Sequence, residues 1–264
     1  MQAPEPLPQP SGLLVPLHPL KWSDPLRWLV LGYRDFVRCP DIGLFYGLCF
    51  MGMGWALLRV YENATAYTLA LSAGFLLMGP FLCLGLYRAS QRLEAGEKPR
   101  FWDSVFAWRT RSGQLGIFGF VLLVLEMLWG RATLVLFALN FNGMPDFKGS
   151  LTALMDPHNL GFMVGWLMVG AFFALIIFSI SVISMPMILD RETDAITAGL
   201  TSLRLMAVEA DVMLFWGLLI ALITALALLP FFFGLLIAGP VIGHGSWHAY
   251  RAAVQRGGDA AQAR

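Results

Sequence analysis

The sequence has 264 residues, of which 58% are hydrophobic and only 13% are charged, and its mean hydropathy is +0.67. A soluble domain carries about 25% charged residues, and here the apolar residues form runs long enough for membrane helices, so a soluble globular protein is excluded. The formal net charge of +1 gives no electrostatic basis for binding nucleic acid. The sequence therefore predicts an all-α, multi-pass integral membrane protein.

Residues 1–20 contain six prolines and no Lys or Arg. This composition predicts a disordered or extended tail rather than a cleavable signal peptide. We expect a membrane domain at 21–254 and a short polar tail at 255–264. The cysteines at positions 39, 49 and 83 lie in or next to apolar runs, which is typical of buried thiols rather than of a disulfide framework.

An amphipathic helix is predicted at 24–38, with Ser23 as its N-cap. It is too polar to span a membrane, so we expect it to lie in the headgroup plane with Trp22 and Trp28 as interfacial anchors. Residues 101–109 and a segment that begins at Asp194 repeat this pattern. The sequence thus predicts three interfacial helices on the cytoplasmic side.

Six membrane spans are predicted between and after these helices. They cover residues 43–60, 66–87, 115–139, 161–189, 212–229 and 230–250. Of the 18 Lys and Arg residues, all but Arg59, Arg131 and Lys148 lie beside span ends on one side. Because cationic residues concentrate on the cytoplasmic side, both termini are expected in the cytoplasm.

An internal repeat is predicted because residues 33–48 resemble residues 203–218 without a gap, with Arg34 matching Arg204 and Asp41 matching Asp211. Each predicted unit contains an interfacial helix, a span, a turn and a second span that carries a proline. The units are about 21–98, 99–192 and 193–254. Units one and three agree in residues, whereas unit two agrees mainly in layout.

The three prolines of the second spans are Pro80, Pro186 and Pro240. A proline inside a helix frees a carbonyl and kinks the helix, so three kinks at equivalent depth would arrange the cytoplasmic ends around a common centre. One interpretation is a vestibule or a hinge. The other is ordinary packing geometry, since proline is common in spanning helices.

Glu126 and Arg131 are the candidate functional residues inside the membrane, because ionisable groups are costly there and often functional. They are five positions apart and do not share a helix face. Alternatively, Arg131 marks the far end of the span and extends to the headgroups, which makes it an anchor. Glu126 would then lie about one turn inside the membrane.

A polar cluster is predicted at the cytoplasmic face, and either an assembled ring of charges or a solvated helix end accounts for it. Its candidate members are Arg34, Arg88, Asp190, Arg191, Arg204, His244 and His248. The two histidines have the i, i+4 spacing that can bind one metal ion, but no third ligand is close in sequence. Polar anchoring is therefore preferred, and no metal or cofactor is expected.

Three blocks of the sequence resemble a known family: residues 28–55, with Tyr-Arg-Asp followed by Phe-Tyr-Gly-Leu, residues 185–191, and residues 239–251. The family is a group of bacterial integral membrane proteins catalogued as domain of unknown function 2189, and the likeness extends over about 21–254. The resemblance implies a six-span membrane protein. It brings no activity and no catalytic residues.

The leading functional hypothesis is a non-enzymatic accessory or scaffold subunit that binds a membrane protein complex or lipid. The alternative is a small transporter or channel that uses Glu126 and the proline-kinked helices. A lipid-modifying enzyme comes third, because only the Asp190 region and the His244–His248 pair could supply a polar site. The expected partners are membrane lipids and a larger membrane complex, with no nucleic acid.

Overall fold

The computed structural model describes residues 15–63, 68–140, 160–191 and 193–254. The regular elements in these ranges are helices, which confirms the all-α class. They are α1 (Asp24–Arg38), α2 (Pro40–Asn63), α3 (Thr68–Glu94), α4 (Phe101–Val105), a 3₁₀ helix (Ala107–Arg111), α5 (Ser112–Asn140), α6 (Leu160–Ser181), α7 (Ser184–Asp190), α8 (Ala195–Val208), α9 (Ala210–Leu228) and α10 (Leu235–Ala253). Most of the N-terminal tail predicted at 1–20 and all of the C-terminal tail at 255–264 lie outside the described residues.

Within the described residues, four helical stretches are long and apolar enough to cross a membrane: Pro40–Asn63, Ala107–Leu136, Leu160–Asp190 and Ala210–Leu228. Pro40–Asn63 and Leu160–Asp190 contain the first and fourth predicted spans, and the other two stretches cover most of the third and fifth. The second and sixth predicted spans fall on α3 and α10, which are not among the four. The fold is that of an integral membrane protein with several helices capable of spanning the bilayer.

The helices pack in a closed order, which means that the first and the last described helices contact each other. Three neighbouring pairs form, namely α2 with α3, α5 with α6, and α9 with α10. Each short helix packs on a different partner: α1 on α10, α4 and the 3₁₀ helix on α3, and α8 on α6 and α7. The first described helix thus contacts the last. Near the ends of the chain, the His18 amide donates a hydrogen bond to the Ala253 carbonyl at 2.9 Å.

Side chains fill the centre where α3, α7 and α10 meet. Met185, Ile188, Trp247 and Tyr250 are fully buried there. Pro186 follows a helix break at residues 182–183, which separates α6 from α7. Because the centre is packed with large side chains, the structure favours the packing interpretation of the prolines over a vestibule.

The packing of α1 corrects one expectation from the sequence. Trp28 is only 2% exposed, and its ring packs edge-to-face on that of Trp216 at 5.5 Å, so its assignment as an interfacial anchor is wrong. The reason is Gly32, whose missing side chain lets the backbone of α10 approach closely at Val241 and Gly245. Trp22, by contrast, is 61% exposed.

Several helix ends differ from the predicted ones. Helix α3 continues to Glu94, about two turns past the predicted end at residue 87. Helix α10 begins at Leu235 rather than at 230, because Phe231 and Phe232 adopt positive φ angles of 50° and 69° in the preceding turn. Ser23 precedes α1 as predicted, but its side chain makes no capping hydrogen bond.

Asp194 caps α8 as predicted. Its Oδ1 atom accepts hydrogen bonds from the backbone amides of Thr197 at 2.9 Å and Ile196 at 3.0 Å. These bonds stabilise the charged carboxylate, so the pKa of Asp194 lies below its usual value. The cap fixes the start of the third short helix.

Candidate functional site

Four polar side chains, three of them buried, form an inner cluster that connects α1, α3 and α10: Asp35, Ser90, His244 and His248. Asp35 Oδ2 lies 2.7 Å from Ser90 Oγ and 2.8 Å from His248 Nε2. Ser90 Oγ also lies 2.7 Å from His244 Nδ1. Asp35, Ser90 and His244 are buried, and only His248 keeps part of its side chain exposed. The cluster therefore ties three helices together through a continuous chain of hydrogen bonds.

The chemistry of the groups fixes the direction of these hydrogen bonds. An ionised carboxylate only accepts, so Ser90 Oγ and His248 Nε2 both donate to Asp35. The single hydroxyl proton of Ser90 is then engaged, and His244 must donate to Ser90 from Nδ1. His244 is thus not placed to accept the Ser90 proton, as the base of a Ser–His nucleophilic pair would do. This arrangement fixes helices more readily than it activates a nucleophile.

The ionised form of Asp35 is stabilised by its neighbours. Burial by itself raises the pKa of Asp35, but the hydrogen bonds from His248 and Ser90 lower it by more, so the pKa lies below its ordinary value. Removing the acceptor from such a hydrogen-bonded group lowers the free energy of unfolding by more than the intact group contributes to it. The reason is that the remaining donors are left without an acceptor. Mutations in the inner cluster are therefore expected to destabilise the fold strongly.

An outer cluster lies beside the inner one and connects α3, α7 and α10. Asp190 Oδ2 accepts from Tyr250 Oη at 2.7 Å, and Asp190 Oδ1 accepts from Gln91 Nε2 at 2.8 Å. Arg251 bridges two carboxylates, since its Nη2 lies 3.1 Å from Glu94 Oε1 and its Nη1 lies 3.4 Å from Asp190 Oδ2. The outer cluster thus joins the ends of α3, α7 and α10, the three helices that meet at the packed centre of the bundle.

Three further side chains complete the outer cluster. Trp247 Nε1 donates to Glu94 at 3.2 Å, Arg191 Nε donates to Tyr250 Oη at 3.1 Å, and Arg88 Nη1 donates to Gln91 Oε1 at 2.6 Å. Each carboxylate of the outer cluster thus accepts from two or more donors, and Arg251 supplies a positive charge to both.

The structure brings together five of the seven residues predicted for the polar cluster. Arg88, Asp190 and Arg191 belong to the outer cluster, and His244 and His248 belong to the inner cluster. The two histidines bond different partners rather than facing one shared ligand.

The other two predicted members, Arg34 and Arg204, are exposed and lie outside both clusters. Arg204 Nη1 donates to the Val15 carbonyl at 3.2 Å. Each is on the outward side of its short helix, α1 or α8, at matching positions in the two sequence segments that resemble each other.

Glu126 lies in α5 inside the candidate span Ala107–Leu136 and is only 7% exposed. Its carboxylate forms no hydrogen bond or ion pair with the other residues that the structure describes. Arg131, five residues further along, is exposed. The two side chains are therefore not paired, as their spacing predicts, and Glu126 is the buried member.

Sequence reasoning missed the residues that hold both clusters together. They are Asp35, Ser90, Gln91, Glu94 and Tyr250. A signal for Asp35 was present, because Trp28, Gly32 and Asp35 follow one another at i, i+4 and i+7 and so share one face of α1. No comparable signal exists for Ser90, whose role depends on contacts that span more than 50 residues of sequence.

The fold and the two clusters define a multi-pass α-helical membrane protein. Residues 68–190 match the family described as "Predicted integral membrane protein (DUF2189)". This match confirms the resemblance to domain of unknown function 2189 over that part of the chain, including most of the 185–191 block. The blocks at 28–55 and 239–251 lie outside the matched segment. No curated protein and no solved structure matches the chain.

Proposed function

We propose that the protein is a non-catalytic accessory or scaffold subunit of the bacterial inner membrane, which holds a membrane protein complex or lipid. In this proposal the chain spans the membrane six times and both termini face the cytoplasm. The three interfacial helices are α1, the segment of α4 with the 3₁₀ helix, and α8. The observation that carries the proposal is that these helices bury one face against the bundle and expose aromatic or aliphatic side chains on another.

The packing supports α3 and α10 as the two additional spans. Helix α3 has 27 residues and α10 has 19, which correspond to about 40 Å and about 28 Å of helix. Helix α10 contacts α1, α2, α3 and α9, so its polar side chains are covered by protein. A helix in such a position crosses a membrane without a continuous apolar surface, because its polar groups face the interior of the bundle.

The breaks between neighbouring helices support the internal repeat. The Cys39 amide donates to the Asp35 carbonyl, and the Gly43 amide donates to the Cys39 carbonyl. The same two bonds recur 170 positions later, from Glu209 to Leu205 and from Met213 to Glu209. The closed packing order adds to this, since each short helix lies on the second span of the preceding unit.

The exposed aromatic side chains make these helices a candidate docking surface. Trp102 is 65% exposed, and Trp22 and Trp108 are also exposed. Tyr33 and Val37 extend the same kind of surface along α1. Aromatic residues concentrate binding energy at protein interfaces and also suit the membrane–water boundary.

We expect Trp102→Ala to weaken binding of the partner complex. A tryptophan at the centre of an interface contributes about 2 kcal/mol or more, which corresponds to roughly a thirtyfold loss of affinity. The measurement is quantitative mass spectrometry of proteins that co-purify with the full-length chain from mild detergent at native expression.

Trp166→Ala is the matched control, because Trp166 is also exposed but lies in the candidate span Leu160–Asp190. It should leave partner recovery unchanged. Recovery of the protein alone, without partner or lipid, would overturn the scaffold proposal. Equal effects of the two substitutions would remove the interfacial helices as the docking surface.

The second candidate function is a small transporter, and the burial of Glu126 in a candidate span favours it. In that case, purified protein in liposomes moves protons or ions, and Glu126→Gln abolishes the flux while the protein keeps its thermal stability. Flux that persists in Glu126→Gln would reject a role for this carboxylate, and the absence of flux from the unchanged protein would reject transport of the ions tested.

A further inference from the structure

An apolar cleft opens between α2, α3 and α5, beneath α4 and the 3₁₀ helix. It has a volume of about 620 Å³, within the range of roughly 300–1,000 Å³ that is usual for small-molecule sites. Apolar residues such as Phe45, Leu77, Met78 and Phe81 line most of it. Its walls include parts of the candidate spans Pro40–Asn63 and Ala107–Leu136, so it lies beside the hydrocarbon of the bilayer.

The depth of the cleft matches one leaflet of the membrane. Along α3 its lining extends from Gly85 to Gly74, which is about 16 Å of helix at 1.5 Å per residue. The hydrocarbon core of a bilayer is about 30 Å thick, so the cleft is about as deep as one acyl layer. Ser104 and Trp108 line its end beneath the interfacial segment.

The cation Arg109 lies next to Trp108 at this end and is not itself part of the cleft lining. The guanidinium of Arg109 lies 4.2 Å from the ring centre of Phe106 and 5.5 Å from that of Trp108. Arg109 forms no ion pair with the other described residues, so its charge is available to an anionic group. Two polar side chains of the lining, Ser104 and Tyr46, place their hydroxyl oxygens 3.1 Å apart at this end.

We propose that the cleft holds one acyl chain of an anionic phospholipid, with the lipid phosphate beside Arg109. The apolar lining, the depth of one leaflet and the guanidinium of Arg109 beside Trp108 are the features that such a lipid requires. This site deepens the lipid-binding part of the proposed function and rests on it, but it does not depend on a protein partner. It assigns the lipid class and the position that the lipid occupies.

The test uses the full-length chain in nanodiscs that contain phosphatidylglycerol with a photoreactive diazirine in its acyl chain. We expect adducts on the residues that line the cleft. Gly116→Leu should reduce them roughly tenfold, the change expected from about 1.4 kcal/mol of lost binding. A Cβ atom at Gly116 meets no atom within 4 Å, so the added side chain enters the cleft without disturbing the helix.

Gly130→Leu is the matched control on the same helix. Its Cβ also meets nothing within 4 Å, but Gly130 does not line the cleft, so labelling should not change. Arg109→Gln should remove about fivefold of the preference for phosphatidylglycerol over phosphatidylcholine, because a basic residue near a membrane surface contributes about 1 kcal/mol.

Equal labelling of Gly116→Leu and Gly130→Leu would overturn the proposal. So would adducts in the unchanged protein that are spread over the lipid-facing helices rather than concentrated in the cleft. The adduct map needs no variant, so the proposal stays testable if Gly116→Leu folds poorly. Loss of partner proteins in the co-purification experiment would leave this result untouched, so the two proposals fail separately.

Discussion

Replacing Asp35 with Ala should lower the midpoint of thermal unfolding by on the order of 10 °C, the largest effect expected for any polar residue described here. The substitution leaves His248 and Ser90 without their acceptor in a buried position. A buried donor that loses its acceptor costs about 1–3 kcal/mol, and this substitution removes the acceptor of two donors. Intrinsic tryptophan fluorescence of the protein in detergent, followed during heating, measures the change.

Asp41→Ala is the control, because Asp41 is also a carboxylate but is exposed, in the first turn of α2. It should shift the midpoint only slightly. A double-mutant cycle of Asp35→Ala with His248→Ala then isolates the pair: the combined loss should be clearly smaller than the sum of the two single losses. If the loss of stability in the double mutant equalled the sum of the two single losses, the hydrogen bond between Asp35 and His248 would contribute no stability of its own.

The same carboxylate predicts a pH dependence. Since the folded-state pKa of Asp35 lies below its ordinary value, the stabilisation that it provides is fully present above the unfolded pKa of about 3.9. It is lost as the pH falls through the lower folded-state value. The difference in stability between the unchanged protein and Asp35→Asn should therefore shrink in acid, and a difference that grows in acid would contradict the assignment.

Gly47→Ala should destabilise the protein by about 3 kcal/mol, at the upper end of the usual cost of overpacking. A Cβ atom at this position would lie 2.2 Å from the carbonyl oxygen of Leu236, and that neighbour is backbone, which does not move aside easily. Helices α2 and α10 would have to separate. The thermal midpoint and the yield of folded protein after detergent extraction both report the change.

Gly52→Ala on the same helix is the matched control. Its Cβ atom meets nothing within 4 Å. Because alanine favours a helix over glycine by up to about 1 kcal/mol, this substitution should be neutral or slightly stabilising. If both substitutions had the same effect, the cause would be helix propensity rather than the close approach of α2 and α10.

Much of the helical layout could be predicted from sequence because apolar runs and caps are local signals. Asp194 and its neighbours show this, since the residue that favours an N-cap does cap α8. The segments 33–48 and 203–218 show it as well, because Asp41 and Asp211 are each the second residue of a helix, α2 or α9. The order of buried, half-buried and exposed positions over 41–46 recurs over 211–216. The likeness of the two segments therefore also indicates which of their residues are buried.

The clusters could not be predicted because they depend on which helices become neighbours. Asp35 is a charged residue of an amphipathic helix, a pattern that favours exposure to water, whereas α10 covers it. The misassignment of Trp28 has the same cause, since an aromatic residue on an amphipathic helix suits either the headgroups or a protein interior. Only the contact made at Gly32 decides between these surroundings.

The closed packing order has a consequence for biogenesis. Of the described helices, α1 is synthesised first, but its main packing partner is α10, the last of them to be synthesised. Asp35 and His248 are 213 residues apart in the chain. Until α10 is synthesised, Trp28 and Asp35 cannot reach their final surroundings. The packing of α1 therefore depends on a helix at the other end of the described chain, and a chain that stops before α10 lacks the surface that covers Trp28 and Asp35.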